Sequence, residues 1–290
     1  MLYYLVKIIS SLVCNMPRAL RRNLGMMIGR LCWPMVPAKR RKMAVDNISR
    51  ALNITTGQAA DIAKASGVRF GPMFMEVLHM PKLNKDNINQ YVTLTGSEHL
   101  EAALAMGRGA VLSTAHSGNW ELLGAALAMH GFPLVAVVQR QTNAAMDTFI
   151  NEYRTIAGMH VTYKQGVREM VKMMGEGKIV GLLMDQDNHS KGVFVEFFGR
   201  LASTPQGAAA LARINNAPIV PAFITENPDG SHTAIIHPAV FVEKTADRAE
   251  DICRTTQTLT GIIEEHIRQH PEEWFWLHNR WKTAPPGIKK

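Results

Sequence analysis

Four apolar runs, at 110–114, 133–138, 179–184 and 219–224, carry almost no polar alternation. A strand with one face in water alternates apolar and polar residues, so runs like these belong to strands covered on both faces, a condition met chiefly in parallel sheets. Helix-like segments at 97–106, 120–130, 144–157, 167–176 and 205–215 separate them. The pattern predicts an α/β fold, an open, mostly parallel sheet flanked by helices, with ligands beyond the C-terminal ends of the strands. A further strand is expected at 233–242 and a long helix at 247–269, while 38–80 reads as a helical lead-in with a capping box at Thr55 and Gln58. With 47% of 290 residues apolar there is material for a large core, and no apolar run reaches the length of about 18 residues that marks a membrane span. No linker, repeat or low-complexity stretch divides residues 46–290, which read as a single domain.

Charge is distributed unevenly. Nine cations (Lys7, Arg18, Arg21, Arg22, Arg30, Lys39, Arg40, Arg41 and Lys42) precede the first acidic residue, Asp46. Beyond them 23 cations face 24 acidic residues, so residues 1–45 carry +9 and the remainder −1 of the net +8. A nucleic-acid binder spreads its basic footprint over a folded face, and the neutral body argues against that class. Residues 1–16 are apolar at twelve positions, with Leu5, Ile8, Ile9, Leu12, Val13 and Met16 at helical spacing and Lys7, Ser10 and Ser11 opposite. Sixteen helical residues reach roughly 24 Å, short of a ~30 Å hydrocarbon core, so 1–45 is expected to be a basic anchor that inserts into a membrane without necessarily crossing it. Cations after the apolar stretch place the body on the cytoplasmic side. A cleaved signal peptide fits poorly, because the cations follow the apolar stretch and no A-x-A site appears. A helix that simply packs on the domain is the remaining alternative. Three widely spaced cysteines, Cys14, Cys32 and Cys253, offer neither a disulfide framework nor a C-x-x-C metal site and suit a reducing compartment.

The segment AVLSTAHSGNWELLGAAL is a buried strand, a tight turn and a helix starting near Trp120, with His116 at the strand end and Glu121 in the first helical turn. That spacing can bring a carboxylate to one imidazole nitrogen and leave the other to take a proton from a substrate hydroxyl. Asn119 and the helix-start amides can receive an anion or a developing oxyanion. The same residues also suit a purely structural role, the histidine satisfying a strand end and the glutamate the helix dipole.

Other chemistries fail on the residues. Ala115 and Asn119 stand where a G-x-S-x-G elbow around Ser117 needs glycine, the GEGK stretch at 175–178 lacks the remainder of a phosphate loop, and H-E-x-x-H is absent. No obvious metal pair exists among the histidines, and neither metal nor cofactor is expected. Arg140 and the Asp185-Gln186-Asp187 triplet follow strands and share the crevice with His116 if the sheet is parallel. Arg140 can hold a phosphate or carboxylate, and Asp185 and Asp187 a cation or a sugar hydroxyl. Arg154 and Arg213, on helix-like segments, are further candidates. Surface ion pairs and helix caps are the alternative roles.

HSGNWE at 116–121, Arg140, DQD at 185–187, FFGR at 197–200 with STPQGAAALAR, the Ile219-Val220-Pro221 block and WFWLHNRW at 274–281 together resemble the bacterial lipid A biosynthesis lauroyl/myristoyl acyltransferases, within the glycerophospholipid acyltransferase group. The likeness runs over nearly the whole chain. It implies a membrane-anchored α/β enzyme on the cytoplasmic face of the inner membrane. That enzyme takes an acyl chain from an acyl-carrier-protein or CoA thioester to a hydroxyl of a lipid A precursor. His116 is then the general base and Glu121 its partner. Acylation of another glycolipid or of a lysophospholipid, and a non-catalytic lipid-binding role, are the alternatives.

Overall fold

The computed structural model describes residues 1–163, 166–285 and 287. Five helices come first: α1 (Leu2–Cys14), α2 (Arg18–Cys32), α3 (Ala38–Leu52), α4 (Thr56–Val68) and α5 (Phe70–His79). The chain then alternates through β1 (Val92–Thr95), α6 (Ser97–Ala105), β2 (Ala110–Thr114), α7 (Trp120–Met129), β3 (Leu134–Val138), α8 (Ala144–Ile156), β4 (His160–Tyr163), α9 (Val167–Gly175) and β5 (Ile179–Leu183). A hairpin of β6 (Val193–Phe197) and β7 (Arg200–Thr204) follows, then α10 (Gly207–Asn215), β8 (Ile219–Glu226), β9 (His232–Ile236) and α11 (Arg248–Gln269).

The expected mostly parallel sheet is present. Its order is β1-β9-β8-β2-β5-β3-β4, with β8, β2, β5, β3 and β4 all parallel and β9 antiparallel to β8. Along β2 the side chains alternate between two cores: Ala110 and Leu112 enter one, Val111 and Ala115 the other. Both sets are buried, which explains the absence of polar alternation. The strand expected at 233–242 stops at Ile236; beyond it Val240 contributes only an isolated bridge to Ile219. The capping box forms, Thr55 and Gln58 each answering the other's backbone at the start of α4.

The N-terminal helices belong to the packed body. α3 runs through position 45 and buries Ala44, Ile48 and Ala51. α2 lies on α5 at glycine contacts: a Cβ on Gly71 would stand 1.9 Å from the Gly25 carbonyl oxygen. α1 docks through a mixed face, with Val6 and Val13 buried in the core on either side of Ser10. Ser10 Oγ donates to the Leu78 carbonyl at 2.6 Å, and Tyr153 donates to Ser10. Lys7 and Tyr3 both reach Glu152, at 2.9 and 2.6 Å. The apolar side, with Leu5, Ile8, Ile9 and Leu12, points outward, and the exposed Leu20, Met27, Leu31, Met35 and Phe74 extend the set of large apolar side chains left in solvent. Among the described residues no helix is long and apolar enough to cross a membrane.

Candidate active site

Strand register builds the site. β2 and β5 are adjacent and parallel, with Thr114 opposite Leu183, so the second residue past each pairing, His116 and Asp185, meet beyond the C-terminal edge. His116 Nδ1 and Asp185 Oδ1 lie 2.8 Å apart, and the His116 backbone N–H donates to Asp185 Oδ2 at 2.9 Å. The Trp274 indole N–H donates to the same Oδ2 at 2.7 Å. Burial opposes the charge on Asp185. The charge on His116, with the hydrogen bonds from its ring and backbone and from Trp274, outweighs that and holds the carboxyl below its ordinary value.

With Nδ1 occupied, His116 Nε2 has no hydrogen-bond partner among the described residues, and the side chain is 20% exposed. Aromatic rings border it. Trp120 stands 5.0 Å away edge-on, and Phe70 bridges Trp120 and Phe275 at 6.1 and 4.9 Å. The turn that carries the histidine is pressed against β8, because Gly118 adopts φ +62° and a Cβ there would lie 1.7 Å from the Ile224 carbonyl oxygen. The C-terminal segment holds the turn from the other side: Phe275 N–H donates to the His116 carbonyl and Gly118 N–H to that of Glu273, both at 3.0 Å.

Several expected roles change. The carboxylate on His116 is that of Asp185, whereas the spacing had pointed to Glu121. Glu121, on α7, is gripped by Arg154 of α8, with Nε to Oε2 at 2.8 Å and Nη2 to Oε1 at 2.5 Å. The rotation of the first turn of α7 points Trp120 to the His116 crevice and Glu121 to α8. Arg154 is thereby committed to Glu121 and to Asn151 Oδ1. Asn119 caps α7, its Oδ1 accepting from Leu122 N–H at 3.1 Å, while its Nδ2 donates to Glu76 at 2.7 Å. Burial pushes the Glu76 carboxyl up to about 8 against that hydrogen bond. Arg140 is exposed past β3 with its guanidinium over the Tyr163 ring. Asp187 ties down the C-terminal segment through Thr283, whose N–H and hydroxyl donate to it at 3.1 and 2.9 Å. Arg213 lies away from the crevice, joining α10 to Asp251 of α11.

Breaking the Glu121–Arg154 pair leaves a mostly buried guanidinium without its carboxylate. Glu121→Ala is expected to cost about 3 kcal/mol of stability, and the double change Glu121→Ala/Arg154→Met to recover most of it. Thermal unfolding of the unchanged chain and the two variants in detergent measures both effects; a stable single variant would contradict this reading.

The residues that sequence reasoning missed are Trp274, Phe70, Phe275 and the buried Ser117–His266 pair, whose Oγ and Nε2 share a hydrogen bond at 3.0 Å. Burial pushes the His266 imidazole down to about 3, and Ser117 itself is only 2% exposed, so this serine–histidine pair faces no substrate. The clustered aromatics of WFWLHNRW were the available signal; their location over the His116 turn depends on tertiary packing.

A carboxylate-paired histidine at a strand end of a parallel sheet, with one imidazole nitrogen free in an aromatic crevice, has the geometry to take a proton from a hydroxyl. The chain belongs to the bacterial lipid A biosynthesis acyltransferase family, which it matches over residues 1–283, and it is an acyltransferase. It is 28% identical over 243 residues to a phosphatidylinositol mannoside acyltransferase of Mycobacterium tuberculosis, covering 81% of this chain and 75% of that one. It is 26% identical over 261 residues to the lipid A biosynthesis lauroyltransferase of Escherichia coli, with 89% and 78% coverage. The E. coli lipid A biosynthesis palmitoleoyltransferase is 23% identical over 268 residues, with 91% and 85% coverage.

Proposed function

We propose that this enzyme moves a fatty acyl chain from the thioester of an acyl carrier protein, or of CoA, to a hydroxyl of a lipid A precursor at the cytoplasmic face of the inner membrane. The observation that carries the reading is His116, tethered by Asp185 at Nδ1 and open at Nε2. His116 Nε2 takes the acceptor's hydroxyl proton as its oxygen attacks the thioester carbonyl carbon. The carbonyl oxygen becomes an oxyanion, received by the first-turn amides of α7 that the Asn119 cap leaves free, those of Trp120 and Glu121. The carbon–sulfur bond then breaks, and the imidazolium returns the proton to the departing thiolate. Asp185 holds the tautomer and offsets the imidazolium charge. The exposed cations, Arg140 among them, are candidates for the acceptor's phosphate groups, and the rings of Phe70, Trp120 and Phe275 border the path of the acyl chain.

Mass spectrometry of the lipids made when this chain is supplied to cells lacking late lipid A acylation tests the proposal; an added acyl chain on lipid A is the expected product. Mannosylated phosphatidylinositol is the second acceptor to assay, because phosphatidylinositol mannoside acyltransferases are among the relatives. Absence of any acceptor-dependent consumption of acyl thioester by the purified protein would leave only a lipid-binding role.

Membrane attachment is part of the same reading, and its support is the row of large apolar side chains, Leu5, Ile8, Ile9 and Leu12, that α1 leaves exposed while Val6, Ser10 and Val13 face the body. Removing residues 1–45 would cut α3 and uncover α5, so substitution is the cleaner test. Leu5→Ser/Ile8→Ser/Leu12→Ser is expected to weaken partitioning to liposomes by about 3 kcal/mol, roughly a hundredfold, with the fold intact. The unchanged chain is expected to remain membrane-bound in 1 M salt, about the concentration at which charge screening reaches ~3 Å. Release by salt alone would mean that only the basic residues hold it.

A further inference from the structure

Arg280 is fully buried, at 0% exposure, and no carboxylate among the described residues stands within ion-pair distance of it. Its Nη1 donates to the Ser203 carbonyl at 2.6 Å and its Nη2 to the Thr204 hydroxyl; Nε has no partner. A lone buried guanidinium is costly unless nearby negative charge offsets it. The same Ser203 carbonyl accepts from the N–H of Asn188, next to Asp187. Two residues before Arg280, His278 Nε2 accepts from the Asp187 N–H at 2.9 Å. The guanidinium also lies over the Phe197 ring, which touches Trp274, the indole that donates to Asp185. Arg280 therefore sits behind two buried carboxylates, Asp185 at 3% and Asp187 at 8% exposure. Burial lowers the Arg280 guanidinium to about 10, with Asp185 and then Asp187 acting in the opposite direction.

We propose that Arg280 is a positioning residue for His116: its charge offsets one of the two buried carboxylates, Asp185 and Asp187, so that the histidine experiences one uncompensated negative charge instead of two. A second uncompensated carboxylate near a histidine favours its charged form and makes it a poorer base. With Arg280 in place the group is neutral when His116 is protonated, and its proton can be given up. The inference rests on His116 acting as base, and it deepens that reading.

The other charges around the pair are accounted for. Glu121 is neutralised by Arg154 and Glu273 by Arg69, at 2.5 Å in each ion pair. Glu76 is raised by burial, His278 and His266 are lowered by burial, and the exposed His189 contacts Asp187 from the rim at 3.2 Å. None of these supplies a fixed buried cation behind Asp185.

The test follows the protonation of His116 directly and needs no turnover, so it is separable from failure of the acyl-transfer assignment. Full-length chain carrying isotope-labelled histidine is titrated by NMR in detergent micelles, and His116 is identified by the signal lost in His116→Gln. Arg280→Gln is expected to raise the His116 midpoint by roughly 0.5–1 pH unit, Arg280→Lys to leave it in place, and Asp187→Asn to lower it by a similar amount. Arg280→Gln/Asp187→Asn is expected to return it close to the starting value. A folded Arg280→Gln protein with an unmoved midpoint overturns the proposal. Where that variant does not fold, an unmoved or raised midpoint in Asp187→Asn does the same.

Discussion

Replacing His116 with alanine is expected to lower the rate of acyl transfer by about 10³-fold or more while leaving the fold intact, at the upper part of the 10²–10⁴ range for loss of a general base. The side chain makes a single hydrogen bond, to Asp185, and stands at the crevice wall, so its removal leaves a space that water can enter. The Trp274 indole and the His116 backbone N–H still hold Asp185 Oδ2, and water in the vacated space can reach Oδ1. The thioester carbonyl keeps its α7 amides, but no group remains within reach to take the acceptor proton. Steady-state assays with acyl thioester and lipid acceptor measure the loss. Turnover within tenfold of the starting enzyme, in a folded variant, is incompatible with the mechanism.

Asp185→Asn is the sharper test, because it changes a tautomer without removing the histidine. Asp185 Oδ2 accepts from two donors, the Trp274 indole and the His116 backbone N–H, while Oδ1 faces His116 Nδ1. An asparagine has one oxygen, and two fixed N–H donors claim it. Its amide group is then turned toward Nδ1, which can only accept, so the ring proton moves to Nε2. The nitrogen that must take the substrate proton already carries one. A decrease of about 10²–10⁴-fold in kcat is expected, with KM for the thioester nearly unchanged. Glu121→Gln is the control: the amide can keep one hydrogen bond to Arg154, and activity is expected to stay within about tenfold. If Glu121→Gln falls as far as Asp185→Asn, the acid that acts on His116 is Glu121 during turnover.

Much of the sheet could be read from residue order. Short runs of Val, Ile, Leu and Ala bounded by turn residues are typical of strands buried on both faces, and 110–114 matches β2 while 179–184 exceeds β5 by one residue. The short strands were less legible. VTLT in β1 and HVTY in β4 lie at the two ends of the sheet, where partly exposed polar residues break up the apolar signal. The β6–β7 hairpin was visible only as the FFGR block, in which Phe198 and Gly199 both take positive φ at the turn. The amphipathic character of α1 was plain, whereas the side that would face the body was not. The face with Val6, Ser10 and Val13 went inward because Ser10, Lys7 and Tyr3 find partners on α5 and α8, and no local rule encodes those partners.

The sequence alone determined that His116 ends a buried strand, that a helix begins immediately after its turn, and that acidic residues end another strand of the same kind. These are local properties, set by residue volume, backbone freedom at Gly118 and the cap of Asn119 on α7. Which acid meets the histidine was decided by tertiary structure. Strand order placed β5 beside β2, and a parallel register aligned Leu183 with Thr114, so Asp185 arrived at His116 from 69 residues away. Glu121, only five residues along, was carried by the rotation of α7 toward α8, where Arg154 stabilised it. Proximity in the chain constrains a side chain only until the helix turns it away; adjacency in the sheet is set by the packing of every layer around it.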